Sequence, residues 1–155
     1  MRITVLTYVE GKERSTEYDP VVMQVVRALR RQGHQVAILG VHADVKRVLA
    51  GLQRRRPDLV FNLVEMFAEN MFGDIAMEGL LDLLGLKYTG CGPGESYLTQ
   101  DKALSKKLLA FHGILYPRFA VFARDAAFET GGNLRMPLFV KPLRTDAYIG
   151  IRRNS

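Results

Sequence analysis

The first 93 residues alternate short apolar runs with amphipathic segments, and this alternation constrains the fold more than any other feature of the chain. Apolar runs rich in β-branched residues predict three strands, at Arg2–Val9, Val36–Val41 and 59–62. Apolar side chains at helical spacing predict three helices, beginning near Asp19, Asp44 and Asp74. Strands that alternate with helices form a parallel sheet with right-handed crossovers, so we expect an α/β, Rossmann-like domain.

The ends of these helices carry the expected boundary residues. Asp19 can cap the first helix with Pro20 at its first position, and Gly33 follows its last turn. In the third helix the acids Asp74, Glu78 and Asp82 line one side, and apolar side chains line the other, namely Ala76, Met77, Leu80, Leu83 and Leu84.

A second unit is predicted to begin near Gly94, which divides the chain into residues 1–93 and 94–155. Asp101 is expected to cap a helix that ends at Gly113. Leu104, Leu108 and Phe111 should form the buried face of that helix. Two antiparallel strands are predicted after it, at 118–122 and 138–141.

The charge of the chain invites a nucleic-acid interpretation that the sequence does not favour. The formal net charge is +6, but the cations are dispersed in small groups without the aromatic side chains of a stacking platform. We therefore interpret them as solvated helix faces and expect no nucleic-acid partner.

The single cysteine and the length of the apolar runs indicate the cellular compartment of the protein. Cys91 cannot form an intrachain disulfide, which fits a reducing cytoplasm. We expect no signal peptide and no membrane association, because neither a basic leader nor an apolar run of membrane-spanning length is visible.

A lysine at the end of an apolar run is the strongest chemical signal. Lys141 follows Leu138–Val140 and precedes a short loop with small residues. An ammonium group beside a loop whose amides can donate suits a phosphate site, since a buried lysine is costly without a partner. The sequence therefore indicates a nucleotide-dependent enzyme.

Three segments together resemble the D-alanine–D-alanine ligase family of ATP-grasp enzymes. They are Pro57–Glu65, Gly85–Pro93 with Thr99–Lys106, and Pro137–Pro142 with Ile149-Gly150. The resemblance implies that residues 1–93 form the family's N-terminal, pre-ATP-grasp domain. It also implies that residues 94–155 begin the α+β central ATP-binding domain and stop early in it.

The resemblance implies a set of nucleotide-binding residues. Lys102, in the Asp-Lys pair at a helix start, and Lys141 match the two lysines that contact ATP. Ala147 and Tyr148 stand in the following loop, where the family has serines and glycines, and Gly150 matches a family glycine. Tyr148 is bulky for a loop that closes over phosphate.

The family also uses a glutamate after the first strand to orient the amine of the first D-alanine. Glu10, Glu13 and Glu17 are available; we take Glu17 as the candidate, and a solvated loop acid is the alternative for each. No residue of this chain matches the family's metal ligands.

By resemblance, the function is ATP-dependent carboxylate–amine ligation through an acyl phosphate, in the synthesis of peptidoglycan precursors for the cell wall. The cofactors are ATP and Mg²⁺, the substrate is a small amino acid, and a homodimer is expected. This fragment is expected to be inactive alone. The alternative is a non-catalytic α/β binding or dimerisation module that reuses the N-terminal domain.

Overall fold

The computed structural model describes residues 1–10, 17–70, 72–122 and 134–144. The chain forms two compact units, Met1–Pro93 and Gly94–Ser155. The expectation of an α/β protein built on a parallel sheet is confirmed in the first unit.

The first unit alternates strands and helices in the order expected. Its elements are β1 (Arg2–Tyr8), α1 (Pro20–Arg31), β2 (Gln35–Val41), α2 (Val45–Arg55), β3 (Leu59–Leu63) and α3 (Gly73–Leu83). The three strands form a parallel sheet in the order β2-β1-β3. Tyr88 adds a parallel bridge to Val60, so the chain returns to the outer edge of β3 after α3.

The sheet is packed on both faces because successive side chains of a strand point to opposite sides. On one face Val5 packs with Val22 and Val26 of α1. On the other face Leu6 joins a larger cluster of buried residues from β2, β3, α2, α3 and their connections, namely Leu39, Val41, Val48, Leu52, Val60, Val64, Met77 and Leu81. The sheet is therefore the middle layer of three.

Short acidic side chains begin two of these helices. The carboxylate of Asp19 accepts from Val21 N at 2.7 Å, with Pro20 as the first residue of α1. The carboxylate of Asp44 accepts from Arg47 N at 3.1 Å at the start of α2. Each contact satisfies an amide that the helix itself leaves without an acceptor.

The second unit contains α5 (Lys102–Phe111) and most of α4 (Pro93–Gln100), which begins one residue before it. Sequence analysis anticipated α5 but not α4. Ser105 Oγ in α5 donates to Leu98 O in α4 at 2.6 Å, which joins the two helices.

Two predicted strands of the second unit are wrong. Residues 118–122 and 138–141 are irregular, and neither segment pairs with a strand in the described part of the chain. Apolar, β-branched composition favours an extended backbone, but a strand also needs a neighbour for its N–H and C=O groups. The two segments are apolar, as the sequence shows, but the predicted antiparallel pairing is not formed among the described residues.

The predicted buried face of α5 is also wrong in part. Phe111 is 84% exposed and Leu108 is on the exposed side, whereas Ala103 is buried. Periodicity identifies which side chains share a face of a helix but not whether another element covers that face. Among the described residues, none of the helices combines the length and apolar character needed to cross a bilayer.

Candidate functional site

The carboxyl ends of the three strands form one edge of the first unit. β1 lies between β2 and β3, so the chain winds to one side of β1 and then to the other. In the register, Tyr8 lies opposite Val41 and Thr7 lies opposite Leu63. Open parallel sheets bind ligands outside such an edge, at the point where the winding changes direction. This edge is the candidate substrate side of the unit.

His42 is held firmly at this edge. Its Nδ1 lies 3.1 Å from Val9 O, and its ring centroid is 5.5 Å from that of Tyr8. Its own carbonyl accepts from Ala68 N at 2.8 Å. Because a carbonyl oxygen can only accept, Nδ1 carries the proton in this contact. The imidazole therefore links the ends of β1 and β2.

The candidate glutamates are exposed where the structure describes them. Glu10 follows β1, and Glu17 lies shortly before α1. Glu13 falls outside the described residues. The assignment of Glu17 to a substrate amine stays a prediction.

A hydrogen-bonded turn closes the outer side of the sheet. Tyr88 Oη donates to Asp82 Oδ1 at 2.9 Å, and Thr89 Oγ1 accepts from Asn62 N at 3.0 Å. Desolvation, followed by the contact with the Asp82 carboxylate, raises the pKa of Tyr88 to about 12. The turn is thereby tied both to α3 and to β3.

Glu78 is buried, although the sequence groups it with the other acids of α3. Its side chain is only 7% exposed, with Met77 and Leu81 buried beside it. A Cβ at Gly90 would lie 3.9 Å from Glu78 Oε1, and Gly90 has φ +110°. The acids of α3 thus do not form one solvated side, because the turn at 88–91 folds back over Glu78. The acid spacing in the sequence contains no signal for that contact.

An open groove of about 620 Å³ runs beside α3. Apart from Asp82, its lining is apolar or glycine: Val45, Phe67, Gly73, Ala76, Met77, Gly79, Leu80, Leu83 and Pro93. Leu83 is 88% exposed, although the sequence places it on the apolar side of α3. The groove is therefore an apolar surface of the first unit that sequence analysis missed.

In the second unit, Lys102 is the first residue of α5, directly after its cap Asp101. Asp101 Oδ1 accepts from Ala103 N at 3.1 Å and from Leu104 N at 2.9 Å. Asp101 Oδ2 accepts from Arg144 Nε at 3.1 Å. The backbone hydrogen bond to Leu104, followed by the Arg144 guanidinium, lowers the pKa of Asp101 against the opposing effect of desolvation.

Lys141 is exposed, so the expectation that burial would make it costly is wrong. Its ammonium lies 4.9 Å from the ring centroid of Phe139, which is itself 73% exposed. A cation–π contact at such a site is worth only about 0.5–1 kcal/mol. The ammonium can therefore leave Phe139 for a stronger anionic partner at small cost.

The remaining predicted cofactor residues, Ala147, Tyr148 and Gly150, lie outside the described residues. Within the described ranges there is no group of three or more His, Cys, Asp or Glu side chains placed to hold a metal ion.

Sequence comparisons relate the chain to D-alanine–D-alanine ligases of several bacteria. It is 34% identical over 131 residues to the enzyme of Rhodospirillum rubrum and 30% identical over 128 residues to that of Anaplasma centrale. These matches cover 80% and 83% of this chain. Over a shorter range of 81 residues, 52% of the chain, it is 41% identical to the enzyme of Cupriavidus taiwanensis.

The matches cover only part of each relative. The aligned portions are 40%, 60% and 25% of the Rhodospirillum, Anaplasma and Cupriavidus proteins. No protein-family model matches the chain. The resemblance seen in the sequence is confirmed by these relatives.

Proposed function

Because this chain is a sequence relative of the D-alanine–D-alanine ligases, we propose that it carries an amino-acid-binding α/β domain and the first ATP-binding elements of a carboxylate–amine ligase. The observation that carries the proposal is the contact of Lys102 with the segment just after Lys141. Lys102 N donates to Leu143 O at 3.3 Å. The two candidate lysines thus belong to one connected part of the second unit.

In such a ligase, ATP phosphorylates the carboxylate of one D-alanine, and the amine of a second displaces phosphate from the acyl phosphate. We propose this reaction, in peptidoglycan precursor synthesis, as the activity to which the chain contributes. Catalysis of this type depends mainly on positioning and on neutralising phosphate charge.

The lysine side chains, rather than helix amides, are the groups that would hold the triphosphate. Asp101 already occupies the amides of Ala103 and Leu104 at the start of α5. The ammonium groups of Lys102 and Lys141 each carry three donors and one positive charge on a flexible stem. Placed on two separate segments of the chain, they can offset the triphosphate charge from two directions.

The amino acid substrate is proposed to bind at the carboxyl edge of the sheet, where Glu17 would receive its amine. Mg²⁺ is proposed for the whole reaction as the partner of ATP. A cytoplasmic location is proposed because Cys91, the single cysteine of the chain, cannot form an intrachain disulfide.

ATP titration of Lys102→Gln and Lys141→Gln variants tests the nucleotide site. Each substitution should weaken ATP binding about 10- to 100-fold, since a hydrogen bond to a charged group is worth about 1.5–3 kcal/mol. Lys107→Gln is the matched control, because Lys107 lies in the same helix with an exposed side chain. It should change affinity by less than about twofold through screened charge alone.

Equal affinity for ATP in all four proteins would contradict the site. Isothermal titration calorimetry gives the dissociation constants, and circular dichroism of each variant checks that α5 remains folded.

The apolar groove beside α3 favours a second candidate function, a dimerisation module. Contiguous exposed apolar surface with a polar rim is typical of protein–protein contact sites. We propose that two copies associate through this groove as a homodimer. If the chain self-associates but does not bind ATP, that result would favour this function over the ligase.

A further inference from the structure

We propose that the Asp101–Arg144 ion pair is a positioning pair that sets the separation of the two lysines proposed to bind ATP. The inference rests on the proposed nucleotide site and gives Asp101 and Arg144 a role in it that the ligase resemblance did not assign to them. Neither residue is proposed to touch ATP.

The Asp101 carboxylate accepts three hydrogen bonds from the protein itself. Oδ1 accepts from two backbone amides of α5, and Oδ2 accepts from Arg144 Nε at 3.1 Å. The residue is only 8% exposed. A carboxylate placed in this way contributes by joining two segments, because it has little capacity left to contact an incoming ligand.

A second contact runs beside the ion pair. Lys102 N donates to Leu143 O at 3.3 Å, so adjacent residues of the helix start are bound to adjacent residues of the later segment. Two neighbouring contacts restrict rotation as well as distance, which a single contact would not do. The first turn of α5 is thereby pinned to residues 143–144.

Both lysines lie within a few residues of this pinned point. Lys102 follows Asp101 directly, and Lys141 precedes Leu143 by two residues. Standard backbone dimensions then limit the separation of the two lysine Cα atoms to about 14 Å. Their flexible side chains can bridge much of that distance, so both ammonium groups can reach one triphosphate.

The local structure allows the pair to be broken without unwinding the helix. In Arg144→Gln, Asp101 keeps both of its backbone contacts and continues to cap α5. Asp101→Asn keeps an oxygen acceptor at the cap, since asparagine is also a preferred cap residue. Each variant removes the charged link from a different side.

The experiment combines ATP titration with amide hydrogen exchange in the full 155-residue chain. Arg144→Gln and Asp101→Asn should each weaken ATP binding about tenfold, in line with the coupling energies of residues in contact. Exchange of the Lys102 amide should speed up in both variants, because its acceptor at Leu143 is no longer held in place. Arg144→Lys should recover part of the ATP affinity by restoring the charge.

Arg118→Gln is the control, because it removes the same charge from an exposed position of the same unit. It should alter ATP affinity by less than about twofold. The positioning role is overturned if Arg144→Gln binds ATP like the unmodified chain while Lys102→Gln does not. It is also overturned if Arg118→Gln has the same effect as Arg144→Gln.

The proposed function fails differently. If the unmodified chain does not bind ATP, the nucleotide site and the purpose of the pair are both refuted. Amide exchange at Lys102 still reports in that case whether the pair pins the helix.

Discussion

Tyr88 illustrates how one residue reports on its surroundings. The hydroxyl donates to Asp82 Oδ1 at 2.9 Å, and the partly buried ring belongs to residues packed against the main core. Desolvation and the adjacent carboxylate both disfavour the phenolate, which raises the pKa of Tyr88 to about 12. The folded state therefore holds this proton more tightly than the unfolded chain, in which tyrosine has a pKa of about 10.

We predict that Tyr88 makes stability depend on alkaline pH. A raised pKa in the folded state contributes stability that is present below about pH 10 and is lost as pH rises through that value toward about 12. Tyr88→Phe should therefore lose less stability over that interval than the unmodified chain. Urea unfolding at a series of pH values measures the difference.

Asp82→Asn provides the matched test of the cause. It removes the neighbouring charge but keeps an acceptor, so the pKa of Tyr88 should fall while staying above its ordinary value because desolvation remains. Tyrosinate absorbance followed during a pH titration reports this change. An Asp82→Asn titration curve identical to that of the unmodified chain would contradict the assigned cause.

For individual residues, the sequence does not predict contacts between residues that lie far apart in the chain. Lys141 was singled out as a lysine after an apolar run, but its exposure and its contact with Phe139 depend on the fold. Glu78 was grouped with the other acids of α3 from its spacing, and the turn containing Gly90 buries it. The sequence shows the sign of each charged side chain, but it does not show whether the fold buries or exposes that side chain.

Among the secondary-structure elements, α3 contains two glycines in opposite situations. A Cβ at Gly73 would overlap the backbone nitrogen of Phe67, which cannot move aside. A Cβ at Gly79 would meet no atom within 4 Å. The same helix therefore needs glycine at one position and merely tolerates it at the other.

We predict opposite effects of alanine at these two positions. Gly79→Ala should raise the free energy of unfolding by about 0.5–1 kcal/mol, because alanine loses less backbone entropy in a helix. Gly73→Ala should lower it by about 1–3 kcal/mol through overlap with Phe67. Each variant serves as the control for the other in urea unfolding, and changes of the same sign would refute the argument.

Helices were predicted better than strands for a physical reason. The starts of α1, α2 and α5 depend on local cap residues, and Asp19, Asp44 and Asp101 all form the cap contacts that their positions indicate. In the first unit strand periodicity sufficed, since each strand has a helix-connected neighbour. At 118–122 and 138–141 strand periodicity was not sufficient, because a strand forms only beside a partner strand, which local sequence does not specify.

For the molecule as a whole, charge and apolar surface act against each other in self-association. The formal net charge of +6 makes two copies repel, and the apolar groove beside α3 makes them attract. Raising ionic strength screens the first effect and leaves the second largely intact. The proposed homodimer should therefore tighten as salt increases.

Leu83→Gln tests whether the groove is the dimer contact. Leu83 lines the groove and is 88% exposed, so its replacement should not disturb the core. In a two-fold contact each substitution occurs twice, once in each copy. Burying a leucine side chain contributes about 1.5–3 kcal/mol, so the dissociation constant of the dimer should rise at least about tenfold. Leu115→Gln is the control, because Leu115 is 98% exposed and lies in the second unit. Sedimentation equilibrium over a concentration series measures the dissociation constant of each variant. Equal effects of both substitutions, or a monomer at every concentration, would refute dimerisation through this groove.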